Sequence, residues 1–391
     1  MKEGESIKTY NLDQAATTRV LPEAISEAVK YMDEQYYNPS ALYYGADEVH
    51  TAVEGARNKF AEILGVKPNE IIFTSGGSES NCLAISGCEW SHDLCTTNIE
   101  HKSIELFRKR HVSPSTMKVG KNGIIDHESV KERCKDFPYL FPLFSIIHVN
   151  NEIGTIQPIC DYAKIIRDKF GEKAMIHSDG TQAIGHVPID VVRTVIEHVD
   201  MYTISGHKFG APKGIGILVK KEDVELQPLI NGSQNFKLRG GTENVPGIMA
   251  MLTAMEHAVE NCTEESIWRN REVREKLFNG INEISAVVKT VDDTEVPVAP
   301  NILSIRFRDP RISGEALIGF LSALRVYCSL GSACNAGQEG TSHVLQAIGL
   351  SEEDALRTIR ISFPDGLTDE DVDEILRRFK IAIDALKRAR N

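Results

Sequence analysis

The segment "VDMYTISGHKFGAPKGIGILVK", residues 199–220, runs as an apolar, β-rich strand into Ser205-Gly206-His207-Lys208, turns through glycine and proline, and resumes as a second strand. Two such runs this close read as antiparallel neighbours. Other strands also end in polar turns: "EIIFT" in "SGGSES", "LFSIIHV" in "NNEIG", "AMIHS" in "DGTQAIG". Between strands the spacing is helical, as in "VHTAVEGARNKFAEILG". Strand, polar turn and helix in repetition predict βαβ units, an α/β fold and a mainly parallel sheet. Such sheets bind ligands beyond the carboxyl ends of their strands. Ser78, His101, Asn151, Asp179 and His207-Lys208 are therefore expected to converge.

Past about residue 260 the texture changes. "SIWRNREVREKLFNGINEI", "GEALIGFLSAL" and "DEDVDEILRRFKIAIDALKR" read as helices, the last opened by Thr368 as N-cap, and "NILSIRF", "VYCSL" and "TIRISF" read as strands. The expected division is a large domain over residues 14–260 and a smaller α+β domain from 261–391 joined by 1–13.

The chain has 391 residues, 41% hydrophobic and 26% charged, with a net charge of −12. The acidic balance argues against broad binding to nucleic acid or anionic membranes. "MKEGESIKTYNLD" has no apolar signal segment, and no apolar run is long enough to span a bilayer, so a cytoplasmic protein is expected. The eight cysteines form no CxxC pair and no metal set, so free thiols and no metal site are expected. Most, Cys82 and Cys160 among them, read as small core residues.

Lys208, bounded by glycines at a strand end, is partly desolvated, which favours a neutral, nucleophilic amine. Ser205 and His207 beside it offer donors to an anion. "TSGGSESN" (Thr74–Asn81) turns from strand to helix, where Gly77, Ser78 and the free N–H groups form an anion seat. Asp179 in "HSDGTQ", with Gln182 three residues on, needs a cationic partner if buried. A lysine for a Schiff base, an aspartate for a pyridinium nitrogen and a helix N-terminus for a phosphate together match pyridoxal 5′-phosphate. His101 could stack on the ring or move protons, and Asn151 could donate to the ring oxygen or a substrate carboxylate. Cys334, in "YCSLGSACNAGQEGTSHVL", sits among small polar residues and reads as a loop thiol, a nucleophile once ionised. Arg360 in "TIRISF" could clamp a carboxylate.

Through "YNLDQAATTRVLPEA", "YYNPSALYYGA", "IIFTSGGSESNCLAI", "EHKSI", "HVNNEIGTIQPI", "HSDGTQAIGHVPIDV", "SGHKFGAPKGIGIL", "LRGGTENVPGI", "GSACNAG", "SHVLQAIGL" and "IRISF", the chain resembles the cysteine desulfurases of the NifS/IscS type, among the class V aminotransferases of PLP fold-type I. The resemblance implies a large domain with the seven-stranded sheet of that fold. It implies Lys208 as cofactor anchor, Asp179 on the pyridinium, Gln182 on the phenolic oxygen, His101 on the ring, and Gly77, Ser78, Ser205 and His207 at the phosphate. It implies Thr242 reaching the phosphate of a neighbouring subunit, hence a homodimer, and Asn151 and Arg360 on the carboxylate of L-cysteine. Cys334 would take the sulfur as a persulfide, releasing alanine, and pass it to an acceptor protein for iron–sulfur clusters or tRNA thiolation. The chain departs from the family in reading "HSDGTQ" for the commoner "HVDATQ" and "SLGSACNAGQEG" in the cysteine loop. A selenocysteine lyase shares this chemistry, whereas a transaminase has no use for a loop thiol, and an inactive scaffold would have lost Lys208 or Cys334.

Overall fold

The computed structural model describes residues 8–88, 94–110, 115–136, 142–330 and 341–389. Its strands are β1 (Tyr10–Asn11), β2 (Ile71–Thr74), β3 (Leu94–Thr97), β4 (Ser115–Met117), β5 (Leu143–Ile147), β6 (Met175–Asp179), β7 (Met201–Ser205), β8 (Gly216–Lys220), β9 (Val287–Lys289), β10 (Ile302–Phe307), β11 (Val326–Tyr327) and β12 (Thr358–Ser362). Seven of them form one sheet in the order β2-β8-β7-β6-β5-β3-β4. β8 runs antiparallel to both of its neighbours, and the rest are parallel. The α/β class and the mainly parallel sheet read from the sequence are thus found, and so is the antiparallel return after Lys208.

The strands are near-continuous apolar runs because helices cover both faces. Period-two alternation then sends neighbouring side chains to different cores. Met201, Leu218 and Ile72 pack with Leu83, Ile104 and Leu143 on one face. Tyr202, Ile217 and Phe73 pack with Phe60, Tyr162 and Val192 on the other. The chain leaves β3 for the edge strand β4 and returns across β3 to β5, so a crevice opens at the carboxyl ends.

A further core gathers Leu277, Leu303, Leu321, Ile361 and Phe379 with Tyr10 and Leu12. Its sheet is antiparallel, β12-β10-β9, while β1 lies parallel to β11. The helix Asp369–Ala389 is capped by Thr368, whose Oγ1 accepts from the Asp371 N–H at 3.2 Å. The seven described cysteines are all free, and Cys82 and Cys160 are only half-buried, Cys160 packing against the margin of the main core.

Candidate active site

A cleft of about 480 Å³ opens at the carboxyl ends of β3, β5, β6 and β7. Gly77, Ser78, His101, Asn151, Asp179, Gln182, Ser205, His207, Lys208 and Arg360 all line it. Thr242 does not; it is exposed, outside the cleft of its own chain. Cys334 lies outside the described residues.

Lys208 follows β7 in a short turn. Its Nζ donates to the carbonyls of Ala15 at 2.6 Å and Ala16 at 2.9 Å. Asp179 ends β6, 2% exposed. Its Oδ2 accepts from Asn81 Nδ2 at 2.7 Å and its Oδ1 from the Thr181 N–H at 3.0 Å. Asn81 also donates to Ser103 Oγ at 3.0 Å, and Ser103 meets His101 Nδ1 through its hydroxyl at 2.8 Å and its N–H at 3.2 Å. A backbone N–H on Nδ1 makes that nitrogen an acceptor, so the neutral ring carries its proton on Nε2. Burial holds the His101 pKa below its usual value, with Asp179 opposing and Lys208 reinforcing. Asn81 and Ser103 were missed in the sequence, where they read as ordinary helix residues.

The helix Gly77–Ser86 points its N-terminus into the cleft, and its first N–H groups have no partner within the helix. Ser205 and His207 close the seat. Burial, then Lys208 and Lys213, push the His207 pKa down to about 4, so its neutral ring keeps one N–H to donate. A Cβ on Gly77 would lie 2.8 Å from Thr181 Oγ1 and 3.4 Å from Ser205 Cβ, filling the seat. Among the described residues, Gln182 Oε1 and Asn81 Oδ1 are buried without a hydrogen-bond partner. An anion seat that a methyl would fill, a buried carboxylate opposite a lysine, and unsatisfied polar atoms between them fit pyridoxal 5′-phosphate.

At the other end Arg360, 1% exposed, donates from NH2 to Asp13 Oδ1 at 2.6 Å and from NH1 to the Asn151 carbonyl at 2.7 Å. Two buried carboxyls that the sequence reading did not single out, Glu100 and Glu152, also line the cleft. Burial pushes the Glu100 pKa up to about 8, against hydrogen bonds from Thr97 Oγ1 at 2.6 Å and the Ile147 N–H at 3.0 Å. Glu152 accepts from Ser342 Oγ at 2.5 Å, and His343 Nε2 lies 2.9 Å from the Glu100 carbonyl.

Residues 13–18 cross the cleft as a strap. Beyond Asp13 and the Lys208 contacts, Ala15 O accepts from Gln182 Nε2 at 2.7 Å, and the Ala15 N–H donates to Ser362 Oγ at 2.9 Å. Thr17 Oγ1 meets His207 Nδ1 at 3.2 Å, and the Thr18 N–H donates to the His207 carbonyl at 2.9 Å.

A family model described as aminotransferase class-V matches residues 10–375. Cysteine desulfurase IscS of Methanosarcina thermophila is 36% identical over 388 residues, 96% of this chain and 93% of that protein. A solved structure named NifS-like protein superposes with a TM-score of 0.86 at 32% identity, covering 97% of this chain and 100% of its own. One described as SspA in complex with cysteine gives 0.76 at 32% identity, covering 92% and 100%. The chain belongs to the aminotransferase class-V family, and with it to the pyridoxal-phosphate enzymes, on the branch of the cysteine desulfurases.

Proposed function

We propose that the protein converts L-cysteine to L-alanine and carries the released sulfur as a persulfide on Cys334. One observation supports this above the others: the lysine, the buried aspartate, the helix N-terminus and the arginine share one cleft. Gly77, Ser78, Ser205 and His207 would hold the phosphate of pyridoxal 5′-phosphate, Asp179 its ring nitrogen and Lys208 its carbonyl carbon. Bound there, the cofactor supplies an electron sink that acidifies the Cα–H of an attached amino acid. Arg360 and Asn151 fix the substrate carboxylate. Lys208 would take the Cα proton, and neutral His101, in the same cleft, would hold or return protons.

The Cys334 thiolate attacks the substrate sulfur. An S–S bond forms, the Cβ–S bond breaks with its electron pair left on carbon, and that carbon takes a proton to become the methyl of alanine. The persulfide then passes to an acceptor protein for iron–sulfur cluster assembly or tRNA thiolation. The reading includes a homodimer, since Tyr36, Leu42 and Tyr44 are exposed apolar side chains and Thr242 is exposed outside its own cleft. It places the enzyme in the cytoplasm, where its free thiols stay reduced. Among the described residues no helix is long and apolar enough to cross a membrane.

The test measures alanine and sulfide from L-cysteine, with thiol reductant, for wild type and Cys334→Ala, both with cofactor absorbance confirmed. Both products from the wild type, and turnover lost in a variant that keeps its cofactor, are expected. A Cys334→Ala variant as active as the wild type refutes the assignment of that thiol.

A further inference from the structure

The strands leading to Asn151, Asp179 and Lys208 are β5, β6 and β7, adjacent in the sheet. Beneath the cleft, two side-chain bridges cross all three. On the cleft face His177, two residues before Asp179, meets Ser145 Oγ at 2.9 Å and Thr203 Oγ1 at 3.0 Å. On the opposite face the hydroxyl of Tyr202 on β7 meets Nδ1 of His148, just past β5, at 2.7 Å. That second bridge passes over the end of β6, where Ser178 is the register partner of Tyr202.

The Tyr202–His148 bridge closes a ring around the residue that matters. The His148 N–H donates to the Asp179 carbonyl at 2.9 Å, and the next N–H, of Gly180, donates to the Thr203 carbonyl at 3.0 Å. The Asp179–Gly180 peptide is thus held from both neighbouring strands, and Tyr202 holds the residue that holds it. Tyr202 and His148 are 0% and 1% exposed, so no water competes for the bond. Burial lowers the His148 pKa to about 4 and raises that of Tyr202 well above its usual value, so the bond joins a neutral imidazole to a neutral phenol.

The ring exists because residue 180 is glycine. A Cβ there would fall 2.0 Å from Tyr202 Cζ and 2.2 Å from its hydroxyl oxygen. The "HSDGTQ" departure from "HVDATQ" and the tyrosine at 202 are therefore one feature, glycine on one strand making room for the aromatic ring of the next.

We propose that Tyr202 and His148 are positioning residues for Asp179, setting the height and tilt of its carboxylate against the ring nitrogen of the cofactor. The proposal rests on the cofactor assignment above. Neither side chain lines the cleft, so both act through the Asp179–Gly180 peptide.

The test strips the full-length protein of cofactor and titrates it with pyridoxal 5′-phosphate and with its 1-deaza analogue, which lacks the ring nitrogen. Tyr202→Phe keeps the ring and removes the hydroxyl. It should raise the Kd for pyridoxal 5′-phosphate about tenfold, the scale of one buried hydrogen bond, and leave that of the analogue unchanged. His148→Asn, whose Oδ1 can stand where Nδ1 stands, should keep wild-type affinity, and His148→Leu should repeat the loss. Equal weakening of both compounds in Tyr202→Phe means general loosening and overturns the proposal, as does no weakening of either. Wild-type protein that binds neither compound refutes the cofactor assignment and the positioning role with it. Wild-type binding with an indifferent Tyr202→Phe refutes the positioning role alone.

Discussion

Gly77→Ala isolates the phosphate seat from everything else in the cleft. Gly77 is not among the glycines with positive φ, so alanine can take its backbone conformation. Alanine also favours helix over glycine by roughly 1 kcal/mol in an interior position, so folding should not suffer. What changes is the space. The added methyl would sit 2.8 Å from Thr181 Oγ1 and 3.4 Å from Ser205 Cβ, between the helix N-terminus and the hydroxyls of the seat. A phosphate displaced from there gives up about one charge-assisted hydrogen bond, about 2 kcal/mol. At about 1.4 kcal/mol per tenfold, affinity for pyridoxal 5′-phosphate should fall about 30-fold. Absorbance titration of the stripped protein measures it, with pyridoxal, which has no phosphate, as the control. Wild type and variant should bind pyridoxal alike, and adding Thr181→Ala, which removes the crowding oxygen, should recover part of the phosphate affinity. A Gly77→Ala protein that binds pyridoxal 5′-phosphate as well as the wild type refutes the placement of the phosphate. So does an equal loss with pyridoxal.

Other residues give separate outcomes. Lys208→Ala should lose the cofactor absorbance on gel filtration and fall to background turnover, and a variant that keeps its colour counts against Lys208 as anchor. Arg360→Lys cannot span both Asp13 and the Asn151 carbonyl, so KM for L-cysteine should rise roughly tenfold to a hundredfold with a smaller change in kcat, and an unchanged KM removes Arg360 from the carboxylate site. Glu100 binds its proton up to about pH 8 in the folded chain, far above the ordinary carboxylate value, so its contribution to stability is complete in acid and is lost as pH rises toward 8. Glu100→Gln never ionises and accepts the same two hydrogen bonds. Its Tm should therefore gain on that of the wild type between about pH 4.5 and about pH 8, and parallel Tm curves would show that Glu100 does not titrate there.

The strand-end residues were legible because each sits where an apolar run breaks into a polar turn, a signal carried by the local sequence. Lys208, Asp179 and His101 are of this kind. The partners that hold them were not. Asp13 and Arg360 are 347 positions apart, and nothing local ties the one to the other. Asn81 and Ser103 lie in helices and look like surface polar residues until the helices dock on the sheet. Glu100 and Glu152 are acidic side chains whose burial depends on the packing of several elements. Gly180 shows the limit most directly. As a letter it is a small residue in place of another small one, and its meaning lies in a tyrosine on the neighbouring strand. Thr242 is exposed and outside the cleft of its own chain, and Cys334 is outside the described residues.

The strap of residues 13–18 bears on how the enzyme is made. These residues leave the ribosome before all of their partners, ahead of Gln182, His207 and Lys208 and well ahead of Arg360 and Ser362. The large sheet can form as it emerges, since β2 to β8 are all translated by residue 220. A chain stalled before β12 nevertheless lacks Arg360 and Ser362, which hold Asp13 and the Ala15 N–H, so the carbonyl pair that meets Lys208 keeps Gln182 but loses that second anchor. Most of the cleft is synthesised early and completed late, so a truncated translation product has Lys208 without the finished cleft around it.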